Sequence, residues 1–470
     1  MVRAMSVETE VKQNVSGGPN QTLATTTVVF FTGLAAVGLF GPAAAHLKEL
    51  LNITPMEMSW LIAAPNLSGS LLRIPFGAWA GKEGGRRPML VLLSCAIVGM
   101  ACLYFKVKEL DGKKHSDPGD YSILLGLAVL IGCGIASFAV GVGQISYWFP
   151  QNEQGRALGI FGGVGNLAPA AISLVLPYAL KYLGLPNTYL IWLLVVISAT
   201  LLYIAFSHDA SYFQLLAKIP PSEAKELAST EYQQELYPAE SVSHGLRIAA
   251  GNWKTWCLVS IYFTCFGGMV ALTVWFPTYW HVVHGLVPTE AGKLTATFGF
   301  SASLFRIAGG YLSDSLSGEK TCILGSFILA GGAVMLTVCE EVALAMIGEV
   351  LVAIGMGLGN GATFKLIPYY IPEAVGGAAG LIGGLGTFGG FALPPVLAFF
   401  VHKMGTPGYS QGFIIYIVLA TLMAIISLLL SASATEEDSE DSSSEACSDE
   451  ECPSTEELSS KLMSWVPGLK

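Results

Sequence analysis

Twelve long runs of apolar residues alternate with polar segments along this chain. Each run is long enough, or nearly so, to cross a bilayer as a helix, which takes about 20 residues. The pattern therefore predicts an all-α polytopic membrane protein of twelve transmembrane helices, with both chain ends on one side. The predicted spans lie at about 24–46, 58–80, 88–105, 121–148, 157–183, 186–206, 254–280, 294–312, 321–339, 342–370, 376–402 and 409–432.

Polar segments divide the chain into five predicted parts. The two outer segments and the central connector are rich in polar and charged residues, and the first 22 residues lack the apolar core of a signal peptide. The predicted parts are a disordered cytosolic N-terminal arm (1–22), a six-helix half (23–206), a cytosolic linker (207–253), a second six-helix half (254–432) and an acidic, Ser-rich cytosolic tail (433–470).

Composition agrees with a membrane protein. The chain is 53% hydrophobic and 12% charged, against about 25% charged in soluble domains. Its net charge of −10 comes from the tail, because 11 of the 34 acidic residues lie between Glu436 and Glu457. We expect this tail to be disordered and to serve as a site for a kinase or another regulatory partner. Thirteen Lys and Arg on the side of the termini, against eight on the other side, place the termini in the cytosol of a plasma membrane protein.

One predicted span carries a single charge. Between Glu57 and Lys82, 24 residues contain only Arg73, and eight residues separate Arg73 from Lys82. At a rise of about 1.5 Å per residue, the guanidinium lies near the middle of the bilayer. A cation there costs roughly 2.5 to 3.5 kcal/mol on insertion scales, so it indicates a functional site. Snorkelling of the side chain to the headgroups is the alternative explanation.

The sequence around this arginine recurs in the second half. Residues 69–77, GSLLRIPFG, match residues 302–310, ASLFRIAGG, at an offset of 233. The match gives Arg306 the position in the second half that Arg73 has in the first. This recurrence weakens the snorkelling explanation and indicates an internal duplication in which each half supplies one arginine.

Lys365 is a third cation within a predicted span. Seven residues separate it from Glu373, a depth similar to that of Arg73. Acidic residues at that depth are few, since Glu349 lies near the outer end of its span and Asp314 ends another. We therefore expect three unmatched cations, which together require an anion. Lys365 is also the candidate for proton coupling, because burial beside other cations favours release of a proton from a lysine.

A glycine-rich motif is duplicated as well. Residues 155–169, GRALGIFGGVGNLAP, match residues 376–390, GGAAGLIGGLGTFGG, at an offset of 221. Close helix packing explains glycines at this spacing without any ligand. It does not explain Asn166, whose amide is costly to bury, so we expect Asn166 to donate a hydrogen bond to a ligand. The signature glycines are Gly162, Gly163, Gly165, Gly383, Gly384 and Gly386.

These motifs resemble those of the nitrate/nitrite porters of the major facilitator superfamily. The resemblance covers nearly all of residues 24–432. Its specific marks are the arginines in LLRIP and LFRIAGG and the signatures GGVGNLAP and GGLGTFGG, while GKEGGRR and YLSDSLSGEK look like the generic superfamily loop signature. The resemblance implies the major facilitator fold, with two pseudo-symmetric six-helix halves.

The resemblance also implies roles for individual residues. Two arginines would clamp the anion from the two halves, an amide would donate a hydrogen bond, and two aromatic rings would sandwich a flat ion. Without it, Phe138 and Phe266 are explained by packing or by contact with lipid. Lys365 stands where some members carry an uncharged amide, which bears on coupling. The residues implied to surround the anion are Arg73, Arg306, Asn166, Tyr262, Phe138 and Phe266.

The sequence therefore predicts a secondary transporter of nitrate, nitrite or both by alternating access, with proton-linked uptake. Open alternatives are nitrate/nitrite exchange, a porter of small organic anions, and a nitrate sensor that signals through the linker or tail. An enzyme is not expected, because the spans hold no catalytic triad or metal constellation. No cofactor, metal or nucleic-acid partner is predicted, and the partners are the anion, protons and membrane lipid.

Overall fold

The regular structure of the described residues is helical. The computed structural model describes residues 15–40, 43, 47, 50–53, 55–111, 117–238 and 240–449, and no strand occurs among them. The predicted all-α class is confirmed. The first seven helices are α1 (Pro19–Gly38), α2 (Pro55–Glu83), α3 (Arg86–Asp111), α4 (Pro118–Ile131), α5 (Cys133–Trp148), α6 (Gln151–Asn166) and α7 (Ala168–Phe206).

The connector and the second half contain the remaining elements. A π-helix (Phe263–Gly267) separates α11 from α12, and a 3-10 turn (Pro372–Ala374) precedes α16. The helices are α8 (Ser211–Leu215), α9 (Pro221–Tyr232), α10 (Val242–Gly251), α11 (Trp253–Tyr262), α12 (Gly268–His284), α13 (Pro288–Ser315), α14 (Gly318–Val338), α15 (Val342–Tyr370), α16 (Val375–Thr387), α17 (Gly389–Met404), α18 (Gly408–Gln411) and α19 (Ile414–Asp449).

Among the described residues, nine helical stretches are long and apolar enough to cross a membrane. The other three predicted spans correspond to α1, α2 and α13, whose sequences hold more polar or small residues. On α2 and α13 the apolar surface faces outward, since Leu71 is 61% and Leu304 is 62% exposed. Two residues further along each helix, Arg73 and Arg306 are buried. A shared helical register thus turns both arginines toward the interior.

The buried apolar side chains form cores within and between the halves. One core joins residues of α1 to α5 and α7, and another joins residues of α12 to α15, α17 and α19. A third core contains Phe138 and Phe161 from the first half together with Tyr262, Phe266 and Phe364 from the second. The two halves are therefore held together around a shared aromatic centre.

Two helix pairs connect the halves. Helix α2 packs against α16, and α6 packs against α13. Glycines line these contacts: a Cβ added to Gly77 would lie 2.6 Å from the carbonyl oxygen of Gly376, and one added to Gly159 would lie 3.0 Å from the Cα of Gly310. Backbones that approach this closely leave no room for larger side chains, which accounts for the glycine spacing in both repeats.

Helices extend into three of the predicted polar segments. Residues 19–22 of the predicted arm begin α1, and Ser16 exchanges two backbone hydrogen bonds with the Gln214 side chain, at 2.9 and 2.8 Å, while residues 1–14 lie outside the described residues. The linker contains α8 to α10. In the predicted tail, α19 continues to Asp449, residues 450–470 lie outside the described residues, and the disorder expected of the tail stays a prediction.

Candidate functional site

Helix α2 places Arg73 inside the molecule, where it is 2% exposed. Its NH1 donates to the carbonyl oxygen of Gly383 at 2.9 Å and to Oγ1 of Thr387 at 2.8 Å, both on α16 of the other half. Its Nε is buried without a hydrogen-bond partner. No carboxylate of the described residues forms an ion pair with it. Arg73 is therefore anchored by neutral groups, and its positive charge stays uncompensated.

Arg306 lies on α13 and is 1% exposed. Its Nε, NH1 and NH2 are all buried, and none of them has a hydrogen-bond partner. It also forms no ion pair with the carboxylates that the structure describes. A buried guanidinium with every nitrogen unpaired is costly, because each lost hydrogen bond to a charged group is worth about 1.5–3 kcal/mol. A ligand with negative charge and hydrogen-bond acceptors would satisfy all three nitrogens.

Aromatic rings surround both guanidinium groups. The Cζ atoms of Arg73 and Arg306 lie 5.0 and 5.1 Å from the centroid of the Phe138 ring. Phe266 lies 5.8 Å from the Cζ of Arg73, and Phe364 lies 5.4 Å from that of Arg306. Contacts with one shared ring show that the two arginines belong to one site. Cation–π attraction offsets part of their burial cost, but supplies no hydrogen-bond acceptor.

Tyr262 and Phe266 are stacked, with centroids 5.0 Å apart and planes inclined by 3°. The π-helix begins directly after Tyr262 and contains Phe266, and the i→i+5 winding rotates the following residues relative to an α-helix. The Tyr262 hydroxyl is buried and interacts electrostatically with both guanidinium groups, so it adds a polar group to the site.

The signature glycines hold the arginines in mirrored positions. A Cβ added to Gly162 would lie 2.5 Å from the Cζ of Arg306, so this guanidinium rests on the glycine of the opposite half. In the second repeat, Gly383 faces Arg73, where an added Cβ would lie 3.5 Å from Cδ. The arrangement explains why the arginine and glycine motifs are duplicated together, since each half supplies the glycine against which the other half's arginine packs.

The other four signature glycines also lie at close contacts. Two of them face backbone of the opposite half and two face aromatic rings of their own half, again in mirrored pairs. At Gly163 an added Cβ would lie 2.8 Å from the carbonyl oxygen of Ser303, and at Gly384 it would lie 3.0 Å from that of Ser70. At Gly165 it would lie against the ring of Phe30, and at Gly386 it would lie 2.6 Å from Cδ1 of Tyr262.

Asn166 is the last residue of α6, one helical turn after Gly162. Its Nδ2 is buried and has no hydrogen-bond partner. The 221-residue offset matches Asn166 with Thr387, whose hydroxyl binds Arg73. The two halves thus differ: in the second half the hydroxyl at this position binds Arg73, whereas in the first half the amide nitrogen at this position has no partner.

The structure also brings in residues that sequence reasoning missed. Phe364 lies against Arg306 and meets the rings of Phe138 and Tyr262 edge-on at 4.8 and 4.9 Å. Thr387 anchors Arg73. The alignment of Thr387 with Asn166 in the glycine repeat could have identified Thr387 from the sequence. Nothing in the sequence distinguished Phe364 from other aromatic residues in the spans.

The prediction that Lys365 is an unmatched cation is wrong. Its Nζ lies 3.0 Å from Oδ1 of Asp314 and also donates to the carbonyl oxygen of Gln151. Asp314 accepts the backbone N–H groups of Gly155 (2.9 Å) and Arg156 (2.6 Å) in the first turn of α6. The physical reason is that Asp314 ends α13 where it meets α6 of the other half, a contact that spacing along the chain does not reveal. Lys365 is thus part of a connection between the halves, separate from the aromatic site.

These observations define a buried site with positive charge and unpaired donors. It can bind a small anion by guanidinium hydrogen bonds and enclose it between aromatic rings. No group of three or more metal-ligating side chains occurs among the described residues. The donor set, made of guanidinium, amide and hydroxyl groups, is also unsuited to a metal ion.

Comparisons with known proteins agree with this chemistry. A family model described as Major Facilitator Superfamily matches residues 26–338 and 284–467. The probable nitrate/nitrite antiporter NarK1 of Thermus thermophilus is 30% identical over 84% of this chain and 88% of its own length. The nitrite extrusion protein of Bacillus subtilis is 26% identical over 80% and 86%, and the probable nitrate transporter NarT of Staphylococcus haemolyticus is 28% identical over 88% and 96%.

Solved structures share the fold. The E. coli fucose:proton symporter FucP superposes with a TM-score of 0.64 at 12% identity, covering 87% of this chain and 98% of FucP. The proton:xylose symporter XylE gives a TM-score of 0.65 at 13% identity, covering 88% and 95%. At these identities the likeness shows the fold alone. The family model and the curated relatives go further, and the chain belongs to the nitrate/nitrite porter family of the major facilitator superfamily.

Proposed function

We propose that the protein is a secondary active transporter of nitrate, nitrite or both. The anion binds between Arg73 and Arg306 and is moved by alternating access of the two halves, with uptake linked to protons. The observation that carries this proposal is the state of Arg306, which is buried with all three nitrogens unpaired beside aromatic rings. A site of this kind is complete only when an anion occupies it.

The shape of the site favours a flat, delocalised anion. A guanidinium fork can donate two parallel hydrogen bonds to two oxygens of nitrate or nitrite. The unpaired Nδ2 of Asn166 and the Tyr262 hydroxyl are available to a remaining oxygen. Phe138 and Phe266 limit the space around the arginines, which disfavours larger organic anions.

The names of the relatives support nitrate or nitrite as the substrate and are compatible with two modes of coupling. One is a nitrate/nitrite antiporter and others are nitrate transporters, so exchange and net uptake are both represented. We place the protein in the plasma membrane with both termini in the cytosol, because Lys and Arg are more frequent on the side of the termini. Nitrate would then move inward from the side opposite the linker.

The test is flux through purified protein in liposomes. We expect nitrate uptake by the wild type, and loss of most uptake in Arg73→Lys and Arg306→Lys, because lysine keeps the charge and loses the planar fork. Arg306→Lys should be the more damaging, since Arg73 has two protein acceptors already. Loading the liposomes with nitrite, at equal pH on both sides, separates exchange from proton-linked uptake.

The matched control is Arg87→Lys. The Arg87 side chain is 78% exposed and forms an ion pair with Glu83 at 3.8 Å, so its replacement should leave flux unchanged. Both site variants should elute from size exclusion as the wild type does. Near-normal flux in either one would show that the arginines are structural and that the proposed clamp is wrong.

A further inference from the structure

Glu349 is a buried acid away from the anion site. It lies on α15 near the end opposite the linker and is 1% exposed. Its Oε1 accepts a hydrogen bond from Nε1 of Trp280 at 3.2 Å. No lysine, arginine or histidine forms an ion pair with it in the part of the chain that the structure describes. Glu349 therefore has one neutral donor and no cation.

Its surroundings supply little else that is charged. From α12, Tyr279 and Trp280 are fully buried, and His284 uses Nε2 to contact the Tyr279 hydroxyl at 3.0 Å. Cys339 follows the end of α14 and lies near Tyr279. On α13 the cation at this end is Lys293, which is exposed. The groups that face Glu349 are thus aromatic or neutral, and α14 presents Gly332, Met335 and Leu336 to the adjoining Gly348.

The other buried carboxyl groups are matched differently. Asp120 pairs with Lys106 at 2.7 Å, and Glu319 accepts the hydroxyl of Tyr370. An ionised carboxylate without a cation loses its hydration with little in return, whereas a neutral carboxylic acid needs only ordinary hydrogen bonds. The surroundings of Glu349 therefore disfavour its charged form, since it has a neutral donor and no partner ion among the described residues.

Both helices that enclose Glu349 continue to the anion site. Helix α12 leads back through the π-helix to Phe266, which lies against Arg73. Helix α15 continues to Phe364, which lies against Arg306. The Trp280–Glu349 hydrogen bond ties these two helices together at their outer ends. A change at this bond is thus in a position to alter how the two helices close over the anion.

We propose that Glu349 is the proton-binding site that couples proton entry to anion uptake, which rests on the proposed transport function. When the side opposite the linker is open, the carboxylate takes a proton from hydronium: one O–H bond forms on Glu349, one O–H bond of hydronium breaks, and water is left. The neutral acid is then enclosed against Trp280 as α12 and α15 close. Opening toward the linker side returns the proton to water. Lys365, held by Asp314, has no part in this step.

The experiment compares two modes of transport in liposomes containing a pH-sensitive dye. One mode is nitrate accumulation driven by an imposed proton gradient, and the other is nitrate/nitrite exchange at equal pH. Glu349→Gln keeps the shape and the acceptor for Trp280 but cannot release a proton. We expect it to lose proton-driven accumulation at least tenfold, together with nitrate-dependent dye acidification, while exchange continues. Glu341→Gln, at an exposed acid beside the start of the same helix, is the matched control and should behave as the wild type does.

Trp280→Phe provides a second test of the proposal. It removes the hydrogen-bond donor and keeps Glu349, so it should shift the pH at which uptake is half-maximal while uptake stays proton-driven. Proton entry in step with nitrate in Glu349→Gln would overturn the proposal, as would equal loss of both modes, which would make the residue structural. A wild type that exchanges nitrate without proton entry overturns the proton site and leaves anion transport standing. A wild type that carries neither anion instead refutes the proposed function.

Discussion

Replacing Gly162 with alanine should displace Arg306 and weaken nitrate binding. The added Cβ would lie 2.5 Å from both Cζ and NH2 of Arg306. Since carbon contacts are comfortable at about 3.5 Å, the guanidinium must move by about 1 Å. The obstacle is the far end of a flexible side chain, so the protein should still fold. Loss of one hydrogen bond between the anion and a charged group, about 1.5–3 kcal/mol, corresponds to about 10- to 100-fold in Kd.

The pseudo-symmetric glycine gives the matched control. At Gly383 an added Cβ would lie 3.5 Å from Cδ of Arg73 and 3.8 Å from Cδ1 of Phe138, which are ordinary contacts. Gly383→Ala should therefore bind nitrate nearly as the wild type does. Calorimetric titration of nitrate into each purified protein measures the difference. Equal affinities for the two alanine variants would refute the reasoning, because the two sites would then be equally tolerant of a methyl group.

Two further predictions concern polar contacts near the linker side. Asp314→Ala should leave Lys365 and the first turn of α6 without their shared acceptor. Amide hydrogen exchange across residues 151–158 should therefore be faster than in the control variant Glu153→Gln. Unchanged exchange would show that Asp314 does not hold the halves together. Burial raises the pKa of Asp209, which accepts the backbone N–H of Arg86 at 2.9 Å. Because this pKa is raised in the folded state, the wild type loses stability as pH rises through that value. Asp209→Asn should lose less stability over the same pH range. Melting temperatures of the two proteins that change in parallel with pH would contradict this.

The arginine pair was predictable because duplication leaves a mark in the sequence. A charge in an apolar run is conspicuous, and its recurrence after 233 residues identified Arg306 without any knowledge of the fold. The helical register then required both arginines to face away from Leu71 and Leu304. Signals of this kind survive in sequence because they arise from local composition and from repetition.

The errors came from contacts between distant segments. Lys365 was expected to be unpaired, because Asp314 and the start of α6 are brought to it only by packing of the two halves. Phe364 was missed for the same reason, since only its position against Arg306 separates it from other buried rings.

Solid-state NMR of nitrate bound to the protein tests the central claim most directly. Dipolar recoupling between ¹⁵N-labelled nitrate and ¹³Cζ-labelled arginine measures whether the anion contacts a guanidinium group. We predict strong dephasing from two arginines in the wild type, loss of one contribution in Arg73→Lys and of the other in Arg306→Lys, and no change in Arg87→Lys. Dephasing that persists in full in both site variants, or that is absent from nitrate-saturated wild type, would contradict binding of the anion between Arg73 and Arg306.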